Sequence, residues 1–180
     1  MKYFFITIMF QVEKAKFEDI GAIMTVFKHC TEAMLKANIH QWDGKYPTST
    51  IFQRDIEESC VFVIKSDVEI VATITLNSQQ DEQYQAIKWK YPAEKVLVIH
   101  RLAVSPNAQG KGLGRQLCEF TESFGIENSF EVIRLDAYSG NPISCCLYEK
   151  LNYHRADGFC WFHGNELPFY CYEKKLSGFN

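Results

Sequence analysis

The 180-residue sequence has no surplus of positive charge: 19 Lys and Arg stand against 22 Asp and Glu, a formal net charge of −3. A chain that binds nucleic acid or an anionic membrane over a broad face carries a basic stripe or patch. Neither is expected as a partner, and any anion site must be local. Long hydrophobic runs are missing as well. The apolar stretch Tyr3 to Phe10 is far short of the ~20 residues that span a bilayer. No small-x-small cleavage site separates it from Glu13-Lys14-Ala15-Lys16, so it does not read as a signal peptide. It reads as an N-terminal strand; if Met9 is the start, residues 1–8 are an appendage. Among the seven cysteines no pair has C-x-x-C spacing, and no Cys/His cluster has the spacing of a zinc site. Cys145 and Cys146 are adjacent, a poor geometry for a structural disulfide. Thiols scattered in this way point to a reducing, cytoplasmic setting, where cysteine serves as a small buried hydrophobe, and no metal is expected. Repeats, low-complexity tracts and Pro-, Gly- or Ser-rich linkers are also lacking, which leaves residues 1–180 as one domain.

What is present is core material: 47% hydrophobic and 14% aromatic residues. The pattern predicts a strand over 10–15, then a helix carrying Phe17, Ile20, Ile23, Met24 and Phe27 at helical spacing, with a break near Cys30 before it continues toward Leu35. Residues 38–50 read as a loop and 51–58 as a short helix. Residues 60–65 and 69–76 suggest an antiparallel hairpin, followed by an exposed polar loop over 77–85. The most pronounced strand, 95–104, stops at Ser105-Pro106, because proline cannot donate to a ladder. A helix over 113–126, a strand over 131–137, a helix over 141–151 and two closing strands, 153–162 and 167–175, complete an α/β (α+β) order with at least one right-handed β-α-β crossover.

The informative segment is Val104-Ser105-Pro106-Asn107-Ala108-Gln109-Gly110-Lys111-Gly112-Leu113-Gly114-Arg115. A buried strand ends, three glycines alternate, and a helix begins. Glycines let the backbone turn tightly and let a ligand approach the amides. Unpaired N–H groups at a helix start form a concave anion site favoured by the helix dipole. Lys111 and Arg115 add positive charge at its rim. The expected ligand group is a phosphate or pyrophosphate. The segment lacks the Gly-Lys-Ser/Thr of a P-loop, and Arg115 stands where the dinucleotide fingerprint requires its last glycine. It fits Q/R-x-x-G-x-G/A.

That loop, the stretch Val98-Ile99-His100-Arg101-Leu102-Ala103-Val104-Ser105-Pro106 before it, and Leu135-Asp136-Ala137, Asn141-Pro142 and Leu147-Tyr148-Glu149-Lys150-Leu151-Asn152-Tyr153 after it, resemble the motifs of the GCN5-related N-acetyltransferases (GNAT), which bind acetyl-CoA. The resemblance is firm over 95–155 and weaker over 10–77. Asn152-Tyr153 departs mildly from the family's Gly-Phe. The resemblance implies a mixed, mostly antiparallel central sheet flanked by helices, with a central β-α-β unit that binds acetyl-CoA as co-substrate. It implies that backbone groups of Leu102, Ala103 and Val104 pair with the pantetheine arm, and that amides of Gln109, Gly110, Lys111, Gly112, Leu113 and Gly114, with Arg115, hold the pyrophosphate. Asn141 would contact the pantetheine or a neighbouring phosphate, and Tyr148 would sit near the thioester sulfur.

Thioester aminolysis needs a neutral amine, a stabiliser for the oxyanion and a proton for the departing thiolate. A backbone N–H near Val104 suits the second role and Tyr148 the third, a phenol being protonated at pH 7. His100 stands where several family members place a glutamate. Strand alternation would put it on one face with Leu102 and Val104 and turn Arg101 to the other. It is the candidate base, against a purely structural histidine. An acyl-cysteine route through Cys145 or Cys146 finds no activating histidine nearby in sequence. In this family the acceptor pocket is built by the first two helices and their connecting loop. Here Trp42 and Tyr46 offer an aromatic wall and Asp43 a hold on an ammonium, and Trp42 alternatively packs beneath the loop. The aromatic segment Phe159-Cys160-Trp161-Phe162-His163 suits the pocket's other side, a homodimer interface or ordinary core. Three readings stay open: an N-acetyltransferase acting on the amine of a small molecule or peptide by direct transfer, a non-catalytic acyl-CoA sensor, and a transferase of longer acyl groups.

Overall fold

The structure, a computed structural model, describes residues 11–67, 69–162 and 164–177. The strand expected over residues 3–10, the appendage 1–8 and His163 lie outside the described residues. Seven strands form one sheet: β1 (Val12–Lys14), β2 (Val61–Lys65), β3 (Ile70–Asn77), β4 (Val96–Val104), β5 (Val132–Tyr138), β6 (His154–Cys160) and β7 (Phe169–Lys175). Their spatial order is β1-β2-β3-β4-β5-β7-β6. Every pairing is antiparallel except β4 with β5, whose parallel run requires a crossover. That crossover is helix α3 (Leu113–Glu127). Helices α1 (Ile20–Lys36) and α2 (Ser49–Glu57) precede β2, and α4 (Pro142–Lys150) lies between β5 and β6. The expected fold class stands.

The central strands read as continuous apolar runs because helices cover both of their faces. On the α3 and α4 face, Leu97, Ile133 and Leu135 pack with Leu117. Side chains of this size contribute about 1.5–3 kcal/mol each on full burial. On the opposite face, Ile23 and Phe27 of α1 and Phe52 of α2 meet Val61 and Val63, while Val96 and Val98 join Tyr138, Phe169 and Cys171 further along the sheet. Helix α1 runs unbroken through Cys30, which is buried in that packing, so the expected break is absent. The polar loop after β3 is not wholly exposed: a 3₁₀ turn at Glu82–Ala86 buries Tyr84 against β5. Its amphipathic content is one ring in a polar stretch, too little for periodicity to register.

Two irregularities open the sheet where a ligand can enter. Strand β4 is bulged: Thr75 pairs with His100 and Thr73 with Ala103, so Arg101 and Leu102 together oppose Ile74, and Arg101 takes φ 49°. Strands β4 and β5 pair only from Val96–Val98 to Val132–Arg134. Beyond that they part, while β5 stays paired with β7 through Tyr138.

Candidate active site

The glycine turn on one side of the opening follows from local sequence. After β4, Ser105 to Ala108 form a 3₁₀ turn with Pro106 at its start. Gly110 and Gly112 then take φ 77° and 83°, backbone that disfavours any residue with a Cβ. Gly112 is the N-cap of α3, and no side chain caps that helix. The first bond of α3 runs from the Gln116 amide to the Gly112 carbonyl, 2.9 Å. Among the described residues, no backbone carbonyl accepts the amides from Gly110 to Arg115. Open space surrounds both left-handed glycines, so the turn presents donors and the positive end of a helix to a bound anion. Gly114 serves a different need. A Cβ there would lie 3.2 Å from Leu147, so this glycine lets α3 and α4 approach. Lys111 is exposed at the rim, whereas the Arg115 guanidinium pairs along the helix with Glu119 at 2.7 Å.

Across the opening lies a cavity of about 880 Å³. It unites Trp42, Asp43 and Tyr46 from the α1–α2 loop with His100 and Leu102 of β4 and Tyr148 of α4. The loop residues 109–115 and Asn141 lie outside it. Ala103 is buried against the α1 core. The Val104 carbonyl already accepts from the Cys30 thiol, 3.2 Å, and the Gln109 amide, 3.1 Å. Of the three residues expected to pair with a pantetheine arm, that carbonyl is therefore engaged within the protein. Asn141 is also committed: its Oδ1 accepts the Ser144 amide as the cap of α4, and its Nδ2 donates to Gln41 at 2.9 Å. This ties α4 to the α1–α2 loop.

The bulge corrects the expected alternation. Leu97 and Ile99 pack on the α3 face before it, and Leu102 and Val104 after it. His100 therefore lies opposite Leu102 and Val104, and consecutive His100 and Arg101 both line the cavity. The Arg101 guanidinium pairs with buried Asp55 and donates to the Tyr46 hydroxyl at 3.0 Å. Asp55 also meets Arg54 at 3.2 Å. His100 Nε2 lies 2.9 Å from Asn77 Oδ1 and 3.1 Å from the Gln79 carbonyl. A carbonyl only accepts, so Nε2 carries the proton and Nδ1 the lone pair. Burial, then the Arg101 charge, lowers the His100 pKa to about 4, which keeps the ring neutral at pH 7 and weakly basic.

Tyr148 is buried with its ring against Tyr153 and Tyr172. Burial lifts its pKa well above the ordinary phenol value, so it holds its proton. Trp42 packs 4.9 Å from Phe27 and also lines the cavity. Asp43 accepts the Lys45 and Tyr46 amides, and these bonds lower its pKa, Lys45 foremost. In the aromatic C-terminal segment, Phe162 reaches the cavity, whereas Phe159 and Trp161 are about half exposed. All seven cysteines are free, and burial raises the Cys145 pKa, against a thiolate nucleophile.

Sequence reasoning gave no role to Asp136, Tyr84 or Asp81. The cavity includes all three, and Asp136 accepts from the Tyr84 hydroxyl at 2.8 Å. A carboxylate inside the buried run Val132–Tyr138 was the available signal; Tyr84 and Asp81 sit in the polar loop and left none.

The family model of the Acetyltransferase (GNAT) family matches residues 25–153, well over half of the chain. The chain belongs to the GNAT family. It is an acetyl-CoA-dependent acyltransferase. Among its curated relatives is the uncharacterized N-acetyltransferase YesJ of Bacillus subtilis (strain 168), 28% identical over 142 residues that span 77% of this chain and 78% of YesJ. A GNAT-family acetyltransferase structure from Streptococcus agalactiae 2603 superposes with a TM-score of 0.75 at 22% identity, covering 92% of this chain and 94% of that one. The structure of yncA from Salmonella typhimurium, solved with its cofactor acetyl-CoA, gives 0.70 at 15% identity, covering 95% and 96%. The GNAT fold thus extends beyond the matched segment. Among the described residues no group of three or more His, Cys, Asp or Glu could hold a metal ion, and no helix is long and apolar enough to cross a membrane.

Proposed function

We propose that this enzyme moves an acetyl group from acetyl-CoA to the primary amine of a small molecule or peptide, directly, with both substrates bound. The observation that carries the reading is the junction of two unlike surfaces at the β4–β5 opening: a turn of unpaired amides on one side and a side-chain cavity holding a protonated tyrosine on the other. The free amides from Gly110 to Arg115 and the open space at Gly110 and Gly112 fit a diphosphate.

In this reading the turn grips the diphosphate, and the unpaired edge of β4 guides the pantetheine arm into the cavity. The amine nitrogen bonds to the acetyl carbon and the carbon–sulfur bond breaks. A backbone N–H in the Val104 region stabilises the charge on the acetyl oxygen; one such donor is worth ~3–4 kcal/mol. Tyr148 gives its proton to the departing sulfur. His100, with a pKa of about 4, is a weak acceptor for the amine proton. Trp42 and Tyr46 supply aromatic surface and Asp43 an ionised carboxylate for the acceptor. The free, largely buried thiols support a reducing, cytoplasmic setting.

The test is thiol release from acetyl-CoA in the presence of primary amines, with intact-protein mass spectrometry after acetyl-CoA alone. Amine-dependent release with no acetylated protein is expected. An acetylated cysteine on the enzyme, transferred onward to amine, would overturn direct transfer.

A further inference from the structure

Resting on the acetyl-transfer reading, we propose that the Asp136 carboxylate, positioned by Tyr84, is the general base that takes the proton from the acceptor ammonium. Strand β5 leaves β4 after Arg134, so Asp136 stands at the opening and lines the cavity together with His100 and Tyr148. Its strand neighbours Leu135 and Ala137 point into the α3 core, which directs Asp136 to the acceptor side. Among the described residues, only Tyr84 hydrogen-bonds the carboxyl, through Oδ2. Oδ1 is left for a ligand. The bond from Tyr84 fixes the plane of the carboxyl and favours its charged form.

The groups that face Asp136 are Tyr84 and Asp81 from the loop after β3, Cys171 of β7 and Tyr148 of α4. None is a cation. Arg134, two residues earlier on the same strand, is turned to Glu173, Gln80 and the Tyr91 carbonyl. Burial is the main force on the carboxyl, with Asp81 adding to it and Tyr84 opposing, and together they raise its pKa to about 6. A base of that strength is ionised at neutral pH yet accepts a proton more readily than an ordinary carboxylate. His100, the residue expected from sequence, has its Nε2 engaged by two acceptors and is the weaker base. The protons balance: Asp136 takes one from the ammonium and releases it to solvent, and the second, shed by nitrogen as the carbon–nitrogen bond forms, replaces through water the proton that Tyr148 gives to sulfur, which resets the site.

The test compares wild type with Asp136→Asn and Tyr84→Phe, using ethylamine as the probe acceptor, acetyl-CoA as donor, and CoA calorimetry on the same samples. Wild-type turnover should fall as pH drops through about 6. Asp136→Asn should bind CoA normally and lose ~10²–10⁴-fold in rate. Its residual rate should climb about tenfold per pH unit toward the pKa of the amine itself (~10), because only amine already neutral can react. Tyr84→Phe should move the acidic limb to higher pH and keep most of the rate above it; a uniform loss with an unmoved limb would make Tyr84 merely structural. As a reading free of any acceptor, the carboxyl carbon of Asp136 in [13C]Asp-labelled, CoA-bound protein should titrate near 6 and move upward in Tyr84→Phe. Titration in the ordinary carboxylate range, or an Asp136→Asn rate and profile matching wild type, overturns the base assignment alone. A wild type that neither binds CoA nor consumes acetyl-CoA overturns the transfer reading beneath it.

Discussion

The turn from Gln109 to Arg115 presents backbone amides and two left-handed glycines, whereas the cavity across the opening presents side chains drawn from positions as distant as Trp42 and Asn165. The first needs only a short stretch of sequence and one helix start. The second needs the β4 bulge, a buried ion pair, a loop anchored by Tyr84 and the separation of two strands. Backbone donors recognise a diphosphate whatever side chains surround them, so this half suits a substrate common to a whole family. Side chains gathered from separate elements can each change alone, so that half suits an acceptor that differs between relatives.

The comparison can be broken most severely at Asp55. Its partner Arg101 is nearly buried, and removing one member of such a pair costs about 3–5 kcal/mol. Asp55→Ala should lower stability by that order in denaturant unfolding and loosen Tyr46, while CoA affinity of the folded fraction stays close to wild type. Tyr148→Phe sharpens the division within the chemistry: kcat should fall ~10²-fold or more, with CoA affinity in calorimetry little changed. Equal losses in both would mark Tyr148 as packing only. On the phosphate side, Gly112→Val places a β-branched residue at φ 83°, strain of about 1–3 kcal/mol. CoA binding should weaken accordingly, and the titration of Asp136 should not move.

The smallest effect concerns pH and stability. His100 has a folded pKa below its ordinary value, so between about 4 and 6.5 the unfolded chain binds more protons there, and stability rises with pH. Asp136 has a folded pKa raised to about 6, so over nearly the same window the folded chain binds more protons there, and stability falls with pH. The two slopes oppose. Asp136→Asn should therefore steepen the gain in unfolding midpoint between about pH 4.5 and 6.5; an unchanged slope would deny that Asp136 titrates in that range.

Legibility in the sequence follows the same division. The glycine turn and the helix after it could be read because spacing and backbone conformation are local properties, whereas Tyr148 stands out only through the resemblance to a family motif. The strands of the apolar runs could be read because burial on both faces leaves a composition signal. The β4 bulge could not, since nothing in Ile99-His100-Arg101-Leu102 marks one residue as extra, and that single insertion reverses the faces of His100 and Leu102. The partnership of Tyr84 with Asp136 spans 52 residues and joins a polar loop to a core strand. Asn141 matched a family motif, and its capping of α4 is local, but its bond to Gln41 spans 100 residues and left no pattern.

The most direct measurement of the central claim is an amide NMR titration with coenzyme A. Signals of Gly110 to Arg115 should shift strongly and together, with smaller changes along Leu102 to Val104 and little at β1 or β2. Saturating coenzyme A that leaves the signals of that turn in place would contradict the site, and the transfer reaction assigned to it.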